Sequence, residues 1–178
     1  MRILLTLMAL ITFDLNADGH ATDEPVDNGY MLLSTYEISP GQNPAELEKE
    51  LVQLQLDQES YGFNNCGLYR HWYGGQRAFY AYCFFTDFDQ FEAIRIKSDA
   101  DDDRMAITQN YSGHTDHILH VQKANLSEAP VNLLWMKWKF GPYLTIVERQ
   151  ERADKLFDAF SRAFGACNLY LHSWGPEI

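Results

Sequence analysis

Positive charge is scarce in this chain. Its 178 residues carry 14 Lys and Arg against 25 Asp and Glu, a formal net charge of −11. Neutralising nucleic-acid phosphates needs a basic face, and attraction to an anionic membrane surface needs the same. Neither partner fits this composition. The chain has no Gly-rich phosphate loop and no G-x-S-x-G nucleophile turn. Cysteine is sparse as well: Cys66, Cys83 and Cys167 are the only three, so one intrachain bridge at most can form and one thiol is left over. Beyond the N-terminus, no apolar run is long enough for a membrane helix.

What is present suits a folded core. Hydrophobic residues make up 46% of the chain and aromatic ones 14%, well above what a disordered chain carries. The N-terminus reads MRILLTLMALITFDLNADGHATDEP. Arg2 supplies a short positive region, residues 3 to 13 an apolar one, and Gly19 and Ala21 fit cleavage before Thr22. Residues 1–21 are therefore expected to be a secretory signal peptide, too short to span a bilayer. A buried N-terminal strand or helix is the alternative. Removing residues 1–21 takes away Arg2, Asp14 and Asp18, a net of −1, so the mature chain would carry −10. Export to a periplasmic or extracellular compartment follows from this reading, with no membrane segment left after cleavage.

Hydrophobic periodicity gives the element order. Residues 30–38 read as a strand. Asn43 is an N-cap, Pro44 a first helical residue and Glu46 the partner of a capping box. Leu47, Leu51, Leu54, Gln58 and Tyr61 follow at helical spacing up to Gly62. Residues 64–73 and 76–86 form a hairpin around Gly74-Gly75. A second helix carries Phe88, Phe91 and Ile94 or Arg95, and the acidic run 98–103 interrupts it or caps a following turn. Residues 114–124 read as a strand. That order is β-α-β-β-α-β, the split βαβ or ferredoxin-like pattern, with the antiparallel sheet backed by helices on one face.

A further β-α-β follows Pro130. Its parts are a strand over 131–140, a helix over 143–164 with Ala153, Leu156, Phe157, Phe160 and Phe164 as its apolar stripe, and a last strand over 166–174. The words CGLYRHWYG (66–74) and CNLYLHSWG (167–175) share the pattern C-x-L-Y-x-H-x-aromatic-G and follow helices in matching units. The reading is an internal duplication, residues 22–128 being one complete unit and 129–178 a partial second one. A coincidence of strand composition is the rival explanation.

A Gly74-Gly75 turn pairs residues whose numbers sum to 149. One hairpin face then carries Cys66, Leu68, Arg70 and Trp72 against Cys83, Ala81, Phe79 and Arg77, which suits packing on helices. The other carries Tyr69, His71 and Tyr73 against Tyr80, Ala78 and Gln76, with Tyr82 opposite Gly67. The repeated word puts Tyr170 and His172 on one face of the last strand. Apolar rings with hydrogen-bonding tips suit a wet cavity or an interface. The candidate ligand-binding residues are Tyr69, His71, Tyr80, Tyr82, Tyr170 and His172, and the ligand they suit is small and apolar or aromatic. Tyr is also favoured in strands on packing grounds alone, and the same face could meet a second copy in a homodimer. No catalytic residue is identified, and no cofactor is specified.

Counting from the turn, Cys66 and Cys83 are a directly opposed, non-hydrogen-bonded pair, where Cα atoms approach to about 4.5 Å. A disulfide can close there and persists in an exported protein. The alternative is three small buried thiols in a reduced protein. Among other constellations, HTDHILH offers His114, Asp116, His117 and His120. On a strand His114, Asp116 and His120 share a face while His117 points away. His114 and His120 are then roughly 20 Å apart, too far for one metal; His114 and His117 would converge if the segment began in a turn. DADDD lacks the Gly and final Glu of a calcium loop. No metal ligand set is assigned.

By element order and repeat, the chain resembles the dimeric α+β barrel superfamily, which includes antibiotic-biosynthesis monooxygenase-like domains. The resemblance implies a ferredoxin-like sheet facing another to form a barrel, with a ligand inside the barrel or between sheet and helices. Members bind haem, oxidise polyketide rings, isomerise lactones or have no known activity. No catalytic motif of the family is present to carry over, and the incomplete second repeat departs from the usual tandem form.

Overall fold

The structure is a computed structural model that describes residues 9–11, 29–71, 77–101, 111–124, 132–165 and 167–174. Strand β1 (Ala9–Ile11) is followed by β2 (Tyr30–Ile38), helix α1 (Pro44–Tyr61), β3 (Asn64–Arg70), β4 (Ala78–Phe85), α2 (Phe88–Asp99), β5 (Tyr111–Ala124), β6 (Asn132–Leu134), α3 (Ile146–Phe164) and β7 (Asn168–Trp174). The fold is α+β: a five-stranded sheet in the order β3-β4-β2-β5-β7, antiparallel throughout, with three helices among the described residues.

Local signals account for the helices. The Asn43 side chain accepts a hydrogen bond from the Ala45 amide at 3.1 Å, and Pro44 begins α1. Gly62 ends it at φ 121°, a conformation that a side chain would strain. Asp87 caps α2 by accepting from the Gln90 amide at 2.7 Å. Thr145 and Glu148 form a reciprocal capping box, and α3 begins at Ile146, three residues later than the expected start at 143.

Strand alternation sends one side of the sheet to α1 and α2. Leu47, Leu51 and Leu54 of α1 pack on Tyr36, Ile38, Phe79 and Ala81. Tyr61, Phe63, Cys83, Phe85, Ile94 and Ile118 continue this core toward α2. Phe79, Leu47 and Leu51 are fully buried, and each such side chain contributes roughly 1.5–3 kcal/mol by leaving water. Asp101, in the acidic run after α2, accepts a 2.6 Å hydrogen bond from the Tyr61 hydroxyl and so ties the two helices' ends together. Residues 102 and 103 of that run lie outside the described residues.

The hairpin register is the expected one. Gly67↔Tyr82, Leu68↔Ala81, Tyr69↔Tyr80 and Arg70↔Phe79 all sum to 149. The His71 amide donates to the Ala78 carbonyl at 2.9 Å, so the odd-numbered residues of β3 make the hydrogen-bonded pairs. Cys66 and Cys83 are bridged, with Cα atoms 4.1 Å apart, and Cys167 is not part of a disulfide. A bulge lies between Asn64 and Gly67, where Asn65 takes φ 45°. The Gly74-Gly75 turn, Trp72, Tyr73 and Gln76 lie outside the described residues.

The C-terminal part departs from expectation at one strand. Among the described residues 132–140, Asn132–Leu134 is the part that forms a strand, and it pairs with Ala9–Ile11 in a separate two-stranded sheet. Residues 135–140 run outside any ladder because their rings are engaged in side-chain contacts instead, Trp135 on Tyr170 of β7 and Trp138 on Phe160 of α3. The helix α3 is amphipathic, yet none of its residues is fully buried. No described helix is long and apolar enough to cross a membrane. Residues 9–11 fall inside the expected leader; its cleavage site lies outside the described residues.

Candidate functional site: the tyrosine and histidine face of the sheet

The sheet face turned away from α1 and α2 is built on Met31 and Leu33 of β2 and Leu119 of β5, all buried. Tyr80, Tyr82, Phe84, Trp135 and Tyr170 pack around them. The backbone parity that sends Phe79, Ala81 and Cys83 to the helices necessarily sends Tyr80 and Tyr82 here.

Three of the expected residues meet. Tyr69 stacks on Tyr82 with ring centroids 5.6 Å apart, and their hydroxyls are hydrogen-bonded to each other. Tyr170 lies on β7, at the opposite edge of the sheet from β3. A flat sheet would hold these edge strands about 19 Å apart. Burial pushes the Tyr69 phenol up, the Tyr82 phenol adds to this, and Tyr170 contributes further repulsion. Tyr82, stacked on Tyr69, and Tyr170 pack on the same cluster of Met31, Leu33 and Leu119, so side chains from the two edges converge over this face. Asn168 donates to the Tyr170 hydroxyl at 3.0 Å, and Trp135 stacks on the Tyr170 ring at 5.9 Å. Burial is also the main cause that raises Tyr80, Tyr82 and Tyr170, the last to about 12. At neutral pH these groups are hydroxyl donors and stacking surfaces, and a tyrosinate nucleophile or base is disfavoured.

The remaining expected residues sit at two separate places. His71 is buried and meets Tyr80 edge-on, centroids 6.1 Å apart, at the turn end of the hairpin. His172 is exposed and meets a histidine outside the expected set: the His117 and His172 rings are 5.5 Å apart at 63°. His117 is only 7% exposed, and its Nδ1 has no hydrogen-bond partner among the described residues. Burial, with repulsion from His172 and Lys137, holds the His117 imidazole below its ordinary pKa, and Asp116 offsets part of this. At pH 7 it is neutral.

His117, Trp135 and Lys137 are the members of this face that sequence reasoning missed. A signal existed for His117: it alternates away from His114, Asp116 and His120. Those three line the other side of the sheet. His114 lies 2.9 Å from the Asp116 carboxylate, which also accepts from the Ser34 hydroxyl, and stacks on Tyr36 at 4.5 Å. Burial pushes the Asp116 carboxyl up, but the His114 and Ser34 hydrogen bonds outweigh it and hold the pKa below normal. His120 contacts Tyr30 instead. Among the described residues no group of three or more His, Cys, Asp or Glu is arranged to hold a metal ion.

A cavity of about 20 Å³ lies between α1 and the sheet, with Ser34, Gln55, Gln58 and Cys83 in its wall. That is room for one water and not for a ligand. No protein-family model, curated protein or solved structure matches this chain.

Proposed function

We propose that this is an exported small-molecule-binding protein of split βαβ architecture, related in plan to the dimeric α+β barrels, with its site on the tyrosine and histidine face. The order β2-α1-β3-β4-α2-β5 and the sheet order β3-β4-β2-β5 support the architecture. The edge position of both repeated words, one on β3 and one on β7, supports a duplication. The Cys66–Cys83 bridge is compatible with an oxidising compartment.

The observation that carries the binding reading is His117. A buried ring nitrogen without a partner costs roughly 1–3 kcal/mol, and in a face otherwise closed by aromatic rings it needs a reason. A ligand that reaches past exposed His172 supplies one. Tyr69 is already 5% exposed within a single chain, which leaves little of the β3–β4 end for a second copy and favours a ligand over a homodimer on this face.

Thermal-shift measurements on the purified chain test the reading, using a panel of small hydrophobic aromatics and haem. Stabilisation by at least one aromatic compound is expected. No stabilisation by any of them would count against a binding role. N-terminal sequencing of the protein recovered outside the cytoplasm tests export: a chain beginning at Met1 would refute the leader.

A further inference from the structure

Trp135 and Tyr170 form one stacked ring pair on this face, while His117, His172 and Lys137 lie around the neighbouring part of β5 and β7. Backbone register explains the grouping. Leu119 pairs with His172 and Val121 with Tyr170, so both β7 side chains emerge beside the β5 row that contains His117. The irregular segment after β6 then brings Trp135 and Lys137 over the same end of the sheet.

The charge arrangement here is unusual for a chain of net charge −11. Lys137 is exposed and has no acidic partner among the described residues, and partial desolvation of its ammonium holds it below the ordinary lysine value. The neighbouring cation, Lys123, is differently placed: Asp154 of α3 holds it at 2.7 Å and it lies over the Phe157 ring. Asp116, the acidic neighbour of His117 in sequence, projects to the other side of the sheet and is occupied by His114 and Ser34. The β5–β7 end of the face thus presents an uncompensated ammonium, a buried imidazole nitrogen without a partner and an exposed second imidazole. All three can donate to an anion, the neutral His117 through its Nδ1–H tautomer.

We infer that this end of the face binds a small aromatic carboxylate, the acid group among His117, His172 and Lys137 and the ring against Trp135 and Tyr170. This deepens the small-molecule reading above and rests on it. A carboxylate satisfies His117 and neutralises Lys137 together, whereas an uncharged aromatic compound would leave the ammonium unpaired. A planar ring extends the existing Trp135–Tyr170 stack in offset geometry.

Isothermal titration calorimetry with naphthalene-2-carboxylate and naphthalene-2-carboxamide on the purified chain separates the two claims. The acid is expected to bind at least about tenfold more tightly than the amide, the size of one charge-assisted hydrogen bond. Lys137→Gln should remove most of that preference, weakening the acid far more than the amide. Lys137 is on the surface, so this variant should fold as the parent does. Equal affinity for acid and amide would overturn the carboxylate inference while leaving the binding reading standing. An acid preference that survives Lys137→Gln would overturn the placement. Binding of neither compound would overturn both.

Discussion

Tyr82 lies directly across Gly67 on the neighbouring strand, and a Cβ added at Gly67 would overlap the Tyr82 phenol. The glycine in the middle of β3 is there so that the ring can lie flat over the backbone, where it stacks on Tyr69. The second copy of the repeated word has Asn168 at this position, and its side chain donates to Tyr170 instead. The two copies thus anchor a tyrosine on each sheet edge by different means.

Gly67→Ala is expected to displace the Tyr82 ring and destabilise the fold by about 1–3 kcal/mol, the usual cost of overpacking. In urea unfolding, the double variant with Tyr82→Ala should lose less than the sum of the two single losses, because the clash no longer exists. Additive losses would show that the ring does not hold Gly67 to its identity.

The bridge between Cys66 and Cys83 spans 17 positions, a loop whose closure contributes about 3 kcal/mol in the chain-entropy model. Replacing both cysteines by Ala should lower the unfolding free energy by about that amount. Mass spectrometry after alkylation without reduction should find one modified thiol, Cys167. Three modified thiols would contradict the bridge.

These two features were legible in the sequence because a Gly-Gly pair between alternating arms fixes the register, and the register fixes every opposed pair. The first helix was legible from Asn43, Pro44 and Gly62 for the same kind of local reason. The 131–140 segment was not. Its composition reads as a strand, but its Trp135 and Trp138 rings are engaged by Tyr170 and Phe160, and those partners are set by the tertiary fold. His117 was passed over because HTDHILH invites a search for metal ligands. Parity along β5 separates it from His114, Asp116 and His120 and places it with the tyrosines.

The pH dependence of stability should carry the signature of His117. Its folded pKa is held below the unfolded value of about 6.5, so the unfolded chain takes up the proton first. The penalty is absent above about pH 6.5 and grows as pH falls toward the folded pKa. His172, Lys137 and Asp116 are the titratable or charged groups acting on it. Urea midpoints at pH 7.5 and pH 5.5 should differ less in His117→Asn than in the parent. An unchanged difference would assign the acid sensitivity elsewhere.

Alkaline titration reads the other half of the face. Tyr69, Tyr80, Tyr82 and Tyr170 are all raised above the ordinary phenol, chiefly by burial. Their stabilising contribution is present below about pH 10, the unfolded pKa, and is lost as pH rises through the folded values. Absorbance near 295 nm should therefore show these four ionising late or only on unfolding, and Tyr170→Phe should leave the normally titrating set unchanged. Complete titration of every tyrosine near pH 10 in folded protein would contradict the packing described.

The most direct measurement is the histidine side-chain ¹⁵N–¹H spectrum followed through a titration with naphthalene-2-carboxylate. If the tyrosine and histidine face is the binding site, the His117 Nδ1 resonance should shift in step with saturation while the His114 ring, on the opposite side of the sheet, stays in place. A His117 resonance that does not move at saturating ligand, or one that moves no more than His114, would contradict the site.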